Sequence, residues 1–89
     1  MTHDNLIEAA ETLNAAANAA TDDARERLES QAAEFETLAE ADRGPDHGKL
    51  ARHEHILTDI ADDEGEAVAD HIEDALNSIR AYRETVEGV

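Results

Sequence analysis

Between residues 68 and 86, Val68, Ile72, Ala75, Ile79, Tyr82 and Val86 return at steps of four, three, four, three and four residues. This is the spacing of one face of an α-helix, and a strand, whose side chains alternate between two faces, does not produce it. Weaker versions of the pattern fill the earlier segments. Leu6, Ala9/Ala10, Leu13, Ala16/Ala17 and Ala20 form one stripe, and Ala24, Leu28, Ala32, Phe35, Leu38 and Ala39 form another. The alternation of β-branched and aromatic residues that marks strands is missing. The chain therefore reads as all-α.

Short breaks divide the periodic segments. The spacing predicts helices at about residues 4–19, 22–42, 46–61 and 65–87. Thr2 or Asp4 is available to cap the first, and Thr21, Asp22 and Asp23 can open the second. Gly44-Pro45 stops the second helix, because glycine accepts the left-handed cap conformation and proline disfavours the helical state of the residue before it. Asp46 is the natural N-cap of the third helix, and Asp62-Asp63-Glu64-Gly65 turns the chain into the fourth. Four amphipathic helices with short turns imply one domain over residues 1–89, an up-and-down antiparallel four-helix bundle. If the chain did not break near Asn18 to Thr21, a single helix from 4 to 42 would need a dimer to cover it, beside a hairpin of the last two helices.

The interior of such a bundle is thin. A chain of 89 residues buries only about 60 to 65 % of the surface its unfolded form exposes, and eighteen of these residues are alanine. Stability then rests on close helix approach through alanine, on self-association or on a favourable solvent. The chain has no cysteine, which excludes disulfides and thiolate metal sites. No apolar run nears the roughly 20 residues that span a bilayer, and the opening MTHDNLIEAA lacks the basic region of a secretory signal. A soluble cytoplasmic protein is expected, with no membrane partner.

The formal charge is −16, with a single lysine, Lys49, against six arginines. Self-repulsion of this size destabilises a compact state unless salt screens it, and at molar salt the screening length is only about 3 Å. An acidic surface almost stripped of lysine looks like the cytoplasm of a salt-accumulating halophilic archaeon. The other reading of the charge is an acidic mimic of nucleic acid that binds a basic partner, which would call for clustered carboxylates where these are spread along the helices.

One stretch departs from this acidity. Residues 43–55, RGPDHGKLARHEH, carry three basic against two acidic residues, whereas residues 1–42 carry two against eleven and residues 56–89 carry two against ten. The amides that open the third helix, flanked by Arg43, His47, Lys49 and Arg52, could hold a small anion, although Asp46 occupies the capping position and repels one. At 100° per residue from Leu50, His53 falls at about 300°, inside the stripe of Leu57, Ile60 and Ile56, while His55 falls at about 140°, facing water. A histidine so placed needs a carboxylate, a backbone carbonyl or the hydroxyl of Tyr82 as partner. The candidate binding residues are Arg43, Asp46, His47, Lys49, Arg52 and His53.

Catalytic and metal motifs fail one by one. His53-Glu54-His55 lacks the second histidine of the zinc-hydrolase helix, because Leu57 stands there. His55/Asp59 and His71/Asp74 are single exposed pairs. A calcium loop aligned on Gly65 puts Ile60 and His71 at ligand positions. Ser30 and Ser78 sit mid-helix without a glycine elbow, and no phosphate-cradling glycine loop is present. With Phe35 and Tyr82 as its only aromatics and a strong negative field, the chain is not expected to bind nucleic acid. No cofactor, no metal and no enzymatic activity are expected.

The segments ADRGPDHGKLARH, residues 41–53, and AYRETVEGV, residues 81–89, resemble a family of small acidic haloarchaeal proteins of unknown function. The resemblance covers nearly the whole chain and implies a helical cytoplasmic protein. The function expected from the residues is a protein-interaction module, acting on a protein partner or on itself as a homodimer, with residues 43–55 as its surface. A small-anion or metal-ligand binding protein that uses the same stretch is the alternative.

Overall fold

The computed structural model describes residues 3–41 and 45–85, and it contains four helices: α1 (Asp4–Ala19), α2 (Asp22–Glu40), α3 (His47–Asp63) and α4 (Glu66–Thr85). Contacts at the helix ends fix their directions. The His3 amide donates to the Ala39 carbonyl at 3.1 Å, which sets the start of α1 beside the end of α2. His3 also meets Tyr82 edge-on, ring centroids 5.4 Å apart, at the end of α4. Arg83, near the end of α4, reaches His47 at the start of α3. Successive helices therefore alternate in direction, and the fold is an up-and-down four-helix bundle.

The chain breaks after α1 and does not continue as one rod. A helix over residues 4–42 would be about 58 Å long at 1.5 Å per residue, and the described residues extend only 36 × 21 × 16 Å. The joint is two residues, Ala20 and Thr21, both extended. Asp22 then takes φ 52°, a left-handed value that aspartate tolerates better than most residues. Arg25 fastens the joint from the other side, donating through Nε to the Ala17 carbonyl at 3.2 Å. A cation is favoured there, because the carbonyl end of a helix carries partial negative charge.

The helix starts differ in how they are capped. Asp46 caps α3 as expected, its Oδ1 accepting from the Lys49 amide at 2.8 Å. Neither proposed cap of α1 is observed: His3 holds the cap position with no side-chain bond, Asp4 lies inside the first turn, and Thr2 lies outside the described residues. Thr21 occupies the cap position of α2 but also makes no side-chain cap bond. Helix α2 ends two residues short of expectation, with Ala41 at ψ 141°, and α3 runs two residues beyond it, to Asp63. Helix α4 begins one residue late and is described to Thr85.

The core is one cluster drawn from all four helices, with Leu6, Leu13, Leu28, Phe35, Leu50, Leu57, Ile60, Ile72 and Ile79 as its largest fully buried members. Helix α1 contributes mainly small residues, with Ala9, Ala10, Ala16 and Ala17 all buried. Small side chains let helix axes approach, and α1 lies close against both α2 and α4. Helix α3 packs on α4 and stands well off α2. Across that wider seam the Phe35 and His53 rings meet, centroids 5.1 Å apart.

Candidate functional site

His53 is the only buried polar or charged residue among those described, 6 % exposed. Its place follows from helical phase, which aligns it with Leu50, Leu57 and Ile60 on the inward face of α3. Its Nδ1 stands 2.7 Å from Gln31 Oε1 on α2. A carbonyl oxygen can only accept, so Nδ1 carries the proton and Nε2 holds the lone pair of the neutral ring. Glu34 Oε2, one turn further along α2, lies 3.8 Å from Nε2, too far for a hydrogen bond. Tyr82, a possible partner by sequence, faces His3 instead.

Burial pushes the His53 imidazolium below the ordinary histidine value of 6.5, because the charged ring loses water. The Glu34 carboxylate pulls in the opposite direction, while Lys49 and Arg52 on α3 push further down. Burial and the two cations thus favour a neutral ring, whose Nε2 lone pair lies on the side of the Glu34 carboxylate.

Above this ring, between α2 and α3, an open cavity of about 360 Å³ is lined by Gln31, Glu34, Lys49, Arg52, His53 and Ile56. Lys49 and Arg52 are exposed, and they lie one turn apart on the same side of α3. Within the cavity two permanent cations face one carboxylate, a local excess of positive charge on a strongly acidic chain.

The sequence candidates divide between two sides of α3. Lys49, Arg52 and His53 share the groove against α2. Asp46 stays at the helix end, and its bond to the Lys49 amide withdraws that amide from any external anion. His47 faces the other way, its Nδ1 accepting from Arg83 Nε at 3.4 Å. Arg83 also pairs with the largely buried carboxylate of Glu54, which Arg80 approaches at 3.5 Å. Arg43 lies outside the described residues. His55 is exposed and paired with Asp59 at 3.5 Å. Among the described residues, no three histidine, aspartate or glutamate side chains converge as a metal ion would require.

Sequence reasoning missed both sets of partners. Gln31 lies one turn before Phe35, and Glu34 lies one turn after Gln31, so the inward phase of Phe35 was the available sign that they border the interior. Arg80 and Arg83, the only basic residues after position 55, are three apart and so share a face of α4 that could meet a carboxylate.

Over residues 1–85 the chain matches the model of a family described as "Family of unknown function (DUF7553)". The chain belongs to this family. No curated protein and no solved structure matches it. Membership in DUF7553 bears out the resemblance to a family of unknown function and assigns no role to any residue. No helix among the described residues of this DUF7553 protein is long and apolar enough to cross a membrane.

Proposed function

We propose that this DUF7553 protein is a non-enzymatic interaction module that docks a partner protein on the α2–α3 face, at the groove beneath Lys49 and Arg52. The observation that carries the reading is the pair of exposed cations beside an open cavity on a chain of net charge −16. At the short range that survives molar salt, Lys49 and Arg52 outnumber the one carboxylate of the groove and offer direct contacts to an acidic group. The contacts of His53 among the described residues are an amide oxygen, a carboxylate and a phenyl ring, a set that suits binding. A halophilic cytoplasm is the setting that the acidity and the lone lysine suggest, and there molar salt screens the carboxylates of the remaining surface.

The test is cross-linked capture from the source cells at native salt, comparing the natural chain with Lys49→Glu/Arg52→Glu. Both residues are exposed, so helicity by circular dichroism should be unchanged. A partner cross-linked to the natural chain should disappear with the double variant. Equal recovery with both would place docking elsewhere and overturn the reading.

A further inference from the structure

The groove holds a polar arrangement that its packing does not require. Ile56 and the His53 ring form its floor, Lys49 and Arg52 stand on one wall, and Gln31 and Glu34 form the other. Gln31 is committed to His53 Nδ1, while the Nε2 lone pair of the neutral ring stands opposite Glu34 Oε2 at 3.8 Å. A proton on Nε2 would convert that opposition into a charge-assisted contact. It would also occupy the one carboxylate that opposes an anion in the cavity.

We infer that the α2–α3 groove binds a carboxylate side chain of an acidic peptide segment, gripped by Lys49 and Arg52, and that binding is coupled to uptake of one proton by His53 Nε2. This rests on the docking reading above and names the chemistry of the partner. The proton comes from solvent, and the charged ring faces the Glu34 carboxylate as an ion pair. With His53 neutral, the groups facing the cavity are Lys49 and Arg52 against Glu34, a net charge of one positive unit. With His53 charged, the net is two. Lys49, Arg52 and Glu34 are the charged groups that act on the ring, from α3 and α2 respectively. The coupling is reciprocal: a bound carboxylate holds the proton on His53, and the proton strengthens the grip on the carboxylate.

The experiment is fluorescence anisotropy with a labelled glutamate-rich peptide, from about pH 8 to about pH 5.5, where glutamate stays ionised. Ionic strength is held at a value that keeps the protein fully helical. Affinity should rise as pH falls, approaching about tenfold per pH unit at the steepest point for a single coupled proton. Glu34→Gln, at an exposed position, should bind more tightly than the natural chain at the upper pH and respond less to acid. His53→Gln should bind with little pH dependence. Calorimetry of the natural chain in buffers of different ionisation heat should show net proton uptake on binding, a readout that needs no variant. Peptide binding without proton uptake would overturn the coupling and leave the docking reading standing. No peptide binding at any pH, with partner capture still lost in Lys49→Glu/Arg52→Glu, would overturn the acidic class alone. Self-association abolished by that double variant, without peptide binding, would assign the groove to a second copy of the chain and overturn the proposal.

Discussion

The two seams that α2 makes are built on opposite terms. Against α1 it meets a face of buried alanines punctuated by Leu6 and Leu13, and the helices come close. Against α3 the helices stand apart, and the interval holds Phe35, His53, Gln31 and an open cavity. The first is built mostly of apolar contacts, and the open cavity of about 440 Å³ on its border, between Ile7 and the last turn of α2, is lined by Glu36 and Glu40 without a histidine or a cation. The second sacrifices dense packing and places a protonatable ring, a carboxylate and two cations around one space. In this molecule stability and chemical capability thus occupy different interfaces of the same helix.

Overfilling the buried alanine face of α1 should produce the largest effect. Ala16 is fully buried, and Ala16→Leu should lower stability by about 1–3 kcal/mol, read as a drop in the denaturant midpoint. A variant that melts like the natural chain would mean that the α1 interface is looser than its alanines indicate.

Acid tests the other seam. The folded-state value of His53 lies below the ordinary 6.5 because burial disfavours the charged ring. The unfolded chain therefore binds its proton first, and the stability contributed by the neutral ring is complete above the ordinary value and is lost as pH falls through the folded value. Melting temperature should decline between about pH 7.5 and about pH 5, with the attraction of Glu34 limiting the loss, and His53→Gln should flatten this part of the profile. An unchanged slope in His53→Gln would move the titrating group to another histidine.

The smallest expected effect lies at the entrance to α3. Gly48 has an ordinary helical setting, and an added Cβ would come no nearer than 3.5 Å to Asp46 Oδ1. Gly48→Ala should raise stability by about 0.5–1 kcal/mol by restricting the unfolded chain. It should leave groove binding unchanged, which separates the turn from the site.

The difference between the seams also explains what could be read in advance. Helix positions, the Asp46 cap and the burial of His53 depend on local spacing, and each was visible within one turn or one stripe of sequence. The stand-off between α2 and α3 depends on which stripes meet, and no local pattern contains that. The hydrogen bond from His53 spans 22 residues and the one from Arg83 to Glu54 spans 29. For the same reason residues 43–55 looked like one surface when read along the chain, although α3 turns Lys49, Arg52 and His53 toward α2 and His47 and Glu54 toward α4.

Helix α1 closes against α4 as well as against α2. The packing therefore joins the first of the four helices to the last, and until α4 is in place α1 can bury only the side that faces α2. Loss of α4 would thus uncover one side of α1 and leave α3 with little to pack on, opening the whole interior to proteolysis.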